Sequence, residues 1–150
     1  MSRLKSAATL ASVAVLAFCV VPTVFAQSLA QKEKYARVEY YVNHEAEQAT
    51  YQCKTPISFK FDWSTFTDEI LFDNNDLPGR CAMALGQIGF ICNMSEEAKK
   101  TVQSKVKGVF CKQSPSTVFS LENGIFTWGI DFKDNINVDD KVRAFLMKNL

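Results

Sequence analysis

A chain of 150 residues that is 47% hydrophobic, 12% aromatic and 22% charged has the make-up of one globular domain and is too apolar for a disordered segment. Its 17 Lys+Arg against 16 Asp+Glu lack the basic excess with which nucleic-acid binders neutralise phosphates. A single His excludes sites that need two imidazoles, including most catalytic zinc centres.

Residues 1–26 divide as a secretory signal peptide does. Arg3 and Lys5 give a positive start, Ala7 to Val21 form an uncharged, mostly apolar run of 15 residues, Pro22 breaks it, and Val24-Phe25-Ala26 precedes the cut. That run falls short of the roughly 20 residues that cross a bilayer, so cleavage is favoured over anchoring. Cys19 offers a lipid-anchored alternative, although Phe18 is bulky where lipoprotein signals carry a small residue. The expected mature domain, 27–150, is exported to the periplasm or beyond, has no further membrane span, and keeps 15 basic against 16 acidic residues.

Cys53, Cys81, Cys92 and Cys111 remain in the mature chain, and an even count in an oxidising compartment reads as two disulfides. Their separations of 27, 10 and 18 intervening residues lack the close pairs of a zinc site. A Cys nucleophile with His44 as base would need one thiol left free.

The first element of the mature domain is a helix over 28–50, where Tyr35, Val38, Val42, Ala46 and Ala49 recur at three- and four-residue spacing. His44 sits near the edge of that stripe. Strict alternation of Ile57, Phe59, Phe61 and Trp63 with Ser58, Lys60, Asp62 and Ser64 then predicts a half-buried strand over 57–63. Phe66 to Gly79 reads as loop. Its segment 73–76, Asp-Asn-Asn-Asp, raises the question of a bound ion, but Leu77 and Pro78 fall on the fifth and sixth positions of the EF-hand template, and turn chemistry explains the same residues.

Cys81, Leu85, Ile88 and Cys92 share one face of a helix predicted over 80–92, with Ala82, Gly86 and Gly89 forming a small-residue stripe where a backbone, or a ligand, can approach. Asn93 and Glu96 look like a reciprocal cap for a helix over 95–107, whose Lys99, Lys100, Lys105 and Lys107 are balanced by Glu96 and Glu97. Asn93-Met94-Ser95 matches a glycosylation acceptor, relevant only in a eukaryotic secretory route. A short strand at 109–111 follows. Strands at 117–122 and 125–132 flank Asn123-Gly124, a strong hairpin signal that pairs Leu121 with Phe126 and Phe119 with Trp128 on one face. The last helix, 138–149, is capped by Asn137 and carries Val142, Phe145, Leu146 and Leu150 inward.

These elements predict an α+β domain: a small antiparallel sheet with helices covering one aromatic face. If 81–92 is helical, Cys81 and Cys92 stand roughly 16 Å apart and cannot bond each other. That leaves Cys53–Cys92 with Cys81–Cys111, favoured if the next helix turns back antiparallel, or Cys53–Cys81 with Cys92–Cys111.

Chemistry is sparse. There is no Ser-centred elbow, phosphate-cradling glycine loop or pair of metal-binding histidines, and no catalytic residue, cofactor or metal is assigned. Lys60, Asp62, Thr127 and Asp131 project from the polar sides of their strands and form the candidate binding face. Asp62 with Asp131 is the one acid–base pair to consider, for a hydrolase acting on a sugar or ester. By elimination, the reading is a non-catalytic domain that binds a protein partner or serves as an envelope accessory.

Overall fold

The computed structural model describes residues 28–74, 76–134 and 138–150. The signal segment with Cys19, Asn75 of the Asp-rich stretch, and the Asn137 cap lie outside the described residues.

Helix α1 spans Leu29–Cys53. Ser28 starts it with a reciprocal cap: its hydroxyl accepts the Gln31 amide at 3.2 Å while the Gln31 side chain returns to the Ser28 amide at 3.1 Å. The apolar stripe read from the sequence faces inward, with Val38, Val42, Ala46, Ala49 and Cys53 buried. Strand β1, Ser58–Phe61, is shorter than the periodicity suggests. At its start the Ile57 amide bonds the Thr50 hydroxyl, and at its end Trp63–Thr65 winds into a 3-10 turn.

The expected loop over 66–79 is corrected by two helices. Thr67 caps α2, Asp68–Asp73, by accepting the Ile70 amide, and fully buried Leu71 holds this short helix to the core. Helix α3, Leu77–Met94, begins earlier than the Cys81 periodicity implies, because Pro78 sits in its first turn, where a missing N–H costs nothing. Helix α4 spans Glu96–Lys105 and is capped by Ser95, whose hydroxyl accepts the Ala98 amide at 3.0 Å, rather than by Asn93, which continues α3.

Strands β2 (Gly108–Gln113), β3 (Val118–Glu122) and β4 (Ile125–Ile130) complete a four-stranded sheet in the order β1-β2-β4-β3. The expectation of an antiparallel sheet is overturned: β1–β2 and β2–β4 are parallel, and the β3–β4 hairpin alone is antiparallel. Two causes act. The passage from β1 to β2 runs through α2, α3 and α4, long enough to return the chain in the same direction. And β4, whose Phe126, Trp128, Gly129 and Ile130 are all buried, takes the interior position between β2 and β3 that a simple meander would deny it.

The hairpin register is as the sequence predicts, Leu121 opposite Phe126 and Phe119 opposite Trp128, with Asn123 and Gly124 at φ 53° and 85°. Helix α5, Val138–Asn149, brings Phe145 to 5.6 Å and 5.7 Å from the rings of Phe119 and Phe126. Two disulfides lock the core, Cys53–Cys92 between α1 and α3 and Cys81–Cys111 between α3 and β2, with all four cysteines buried.

Candidate functional site

Parallel and antiparallel registers together align Lys60, Phe110, Thr127 and Ser120 in one row across all four strands. Adjacent strands stand about 4.8 Å apart, so the Lys60 and Thr127 backbones lie about 10 Å from each other with Phe110 between them. Val109 and Cys111, pointing the other way, are buried, whereas Phe110 and Thr127 stay partly exposed and Lys60 is exposed. Two members of the sequence-derived polar face therefore share a surface. Its central aromatic, Phe110, carries no polar signal, because Val109-Phe110-Cys111 is apolar at every position and shows no alternation.

The two aspartates are placed differently. Asp62 closes β1 and accepts the Ser64 hydroxyl at 2.5 Å. Asp131 follows β4, its carboxylate accepting the Lys133 amide at 2.9 Å and its own amide donating to the Thr117 hydroxyl. Asp131 lines a cleft of about 630 Å³ with Glu69, Asp73 and Asp76, and Asp62 is not part of that wall. Asp76 within it is paired with Arg80 at 3.0 Å, and Arg80 also donates to the Asp134 carbonyl. The Asn74 side chain accepts the Asp76 amide at 2.9 Å, a turn-forming bond that uses the oxygen an ion would need. Among the described residues no group of three or more His, Cys, Asp or Glu side chains is arranged to hold a metal ion.

Other sequence candidates separate as well. His44 is exposed on α1, and with Cys53, Cys81, Cys92 and Cys111 all bonded no thiol is left for it to activate among the described residues. Along the small-residue stripe of α3, Gly89 accommodates the Gln52 side chain of α1, while a Cβ at Gly86 would meet nothing within 4 Å. On α4, Lys99 bonds Glu96 at 2.6 Å. That hydrogen bond, with the charge behind it, holds the exposed Glu96 carboxyl below the ordinary glutamate range.

A groove that the sequence reading did not find lies beside β1. It measures about 340 Å³ and is lined by Glu39 and Asn43 of α1 with Phe59, Lys60, Phe61 and Trp63. Trp63 is fixed there, its ring stacked 4.2 Å from Tyr35 and 4.1 Å from Phe61 and its indole N–H donating to Glu39 at 2.7 Å. The signal was present as two separate patterns, the β1 alternation and the α1 stripe, whose meeting only the fold reveals.

No protein-family model, no curated protein and no solved structure matches the chain. No helix of the described residues is long and apolar enough to cross a membrane.

Proposed function

We propose that the mature chain is an exported, non-catalytic binding domain, an envelope accessory that meets a protein partner through the sheet face bearing Lys60, Phe110 and Thr127. The carrying observation is the partly exposed Phe110 at the centre of that face, flanked in the chain by buried Val109 and Cys111. Large aromatics ringed by polar side chains are the usual anchors of protein interfaces. The Cys81–Cys111 bond from α3 and the Phe145 contacts from α5 fall on the opposite side of the sheet, which supports the Phe110 side as the one left for a partner. Export is supported by two disulfides whose sulfurs are buried, a usage typical of oxidising compartments.

The test is a photo-reactive side chain at position 127, with exposed position 104 on α4 as control, in cells that export the protein. A discrete adduct from 127 alone is expected; equal labelling from both positions, or none from 127, would overturn the reading. The hydrolase alternative is favoured by one observation, the cleft around Asp131. Hydrolysis of a glycoside or ester panel that is lost in Asp131→Asn would replace binding with catalysis.

A further inference from the structure

Strand β1 has one neighbour and forms a margin of the sheet. The amides of Ser58 and Asp62 donate to the carbonyls of Lys107 and Cys111 at 3.0 Å and 2.9 Å, which fixes the phase of the strand. Even-numbered residues bond β2, and the backbone N–H and C=O of Phe59 and Phe61 therefore point away from the sheet. No described residue bonds them. These four groups are spaced as the edge of an unfinished ladder.

The groove described above runs along this margin. Its floor is the paired rings of Phe59 and Phe61, 4.7 Å between centroids, and its end wall is Trp63, held by Tyr35 and Glu39. A wall fixed before a guest arrives lowers the ordering cost of binding. An extended polypeptide presents donors and acceptors every second residue, about 6.8 Å apart, matching the repeat from Phe59 to Phe61.

Lys60 selects the guest. It is exposed, makes no ion pair with a described residue, and has Lys112 diagonal to it on β2, while the nearby Asp62 carboxylate already accepts Ser64. A second copy of β1 pairing antiparallel about this residue would set two ammonium groups side by side, which disfavours self-association. A carboxylate at the same place is attracted.

We propose that the β1 edge takes up an extended segment of another protein as a fifth strand, with apolar side chains toward Phe59 and Phe61 and an acidic one facing Lys60. The main-chain groups engaged are those of Phe59 and Phe61, at the margin of the sheet, so the site adjoins the Phe110 and Thr127 surface and shares only Lys60 with it.

The probe is a capped heptapeptide alternating valine and glutamate, added to the mature protein while amide hydrogen exchange is followed by NMR. With nine-tenths of the protein bound, exchange at Phe59 and Phe61 should slow about tenfold, with no change at Ser120 or Thr127. A valine–lysine peptide should give no protection, and Lys60→Glu should reverse the preference. Should Lys60→Glu not fold, Lys60→Gln should abolish discrimination between the peptides. Unchanged exchange at Phe59 and Phe61 with millimolar peptide, equal protection by both peptides, or protection that rises with protein concentration alone would overturn the proposal. Because cross-linking at position 127 reads the other surface, the two can fail independently.

Discussion

Replacing Gly124 with valine is expected to destabilise the fold by about 2–3 kcal/mol. The residue sits at φ 85°, and a Cβ in that region costs about 1–2 kcal/mol, toward the upper end for a β-branched side chain. Space adds to this. A Cβ here would lie 2.9 Å and 3.0 Å from Cγ and Cδ of Lys107 and 3.3 Å from the Lys105 carbonyl oxygen. The lysine chain can swing aside; the carbonyl belongs to the last turn of α4 and cannot move alone. The Gly124 carbonyl also accepts the amides of Lys107 at 2.7 Å and Gly108 at 3.3 Å, so a displaced turn disturbs the entry to β2. Together these contacts contribute roughly 1 kcal/mol more, as overpacking commonly does. At about 3–5 °C per kcal/mol for a domain of this size, Tm should fall by about 6–15 °C. Thermal and urea unfolding followed by circular dichroism measure it, with Asn123→Gly as control, since glycine adopts φ 53° without strain. A valine variant within about 0.5 kcal/mol of wild type would refute the argument that this turn requires positive φ.

Four further outcomes are expected. Non-reducing peptide mapping should recover Cys53–Cys92 and Cys81–Cys111, and removing either bridge, across separations of 39 and 30 residues, should cost about 3–4 kcal/mol; a Cys53–Cys81 peptide would contradict the structure. Asp62→Asn and Asp131→Asn should each change stability by less than about 1 kcal/mol, because asparagine keeps the oxygen that accepts the Ser64 hydroxyl or the Lys133 amide; a loss of several degrees in Tm would count against this. The folded carboxyl of Glu96 is held low, so its small contribution is present above the unfolded glutamate value and is lost as pH falls through the folded one; an NMR titration of Glu96 that matches an unfolded peptide would contradict this. Amino-terminal sequencing of exported protein should begin at Gln27, and mass spectrometry showing an acyl group on Cys19 would replace cleavage after Ala26 with a lipid anchor.

How much of this was legible in the chain depends on whether a signal is local. Helix α1, the Asn123-Gly124 turn with its register and the span of α5 follow from periodicity and turn chemistry acting within a dozen residues. Helix geometry excludes a Cys81–Cys92 bond and leaves two pairings open, and the fold selects Cys53–Cys92 with Cys81–Cys111. Sheet order did not follow, since β2 and β3 are separated by a short connection that would ordinarily join neighbours, yet β4 lies between them. What decided it was burial: β4 turns Phe126, Trp128 and Ile130 into the core, while β1 and β3 retain exposed or half-buried residues suited to margins. Helix α2 was missed because Asp, Asn and Pro in and after it carry strong turn signals that outweighed the Thr67 cap. At the candidate site, the Lys60 and Thr127 alignment was readable as polarity, but not the Phe110 between them or the groove at β1, both of which arise from strands brought together by the crossover.

The two sulfur bridges interlace: the span from Cys53 to Cys92 overlaps that from Cys81 to Cys111, with α3 common to both. A peptide bond hydrolysed anywhere between Cys53 and Cys111 therefore leaves its two fragments covalently joined. Even two cuts, one in the stretch before Cys81 and one after Cys92, leave the middle piece fastened to both outer ones. A single cut in the central half of the molecule would not release a fragment, and the nicked chain would migrate on a denaturing gel as one species until a reductant is added. In a compartment where proteases are present and resynthesis is distant, such a chain tolerates cleavage as a loss of continuity rather than a loss of material.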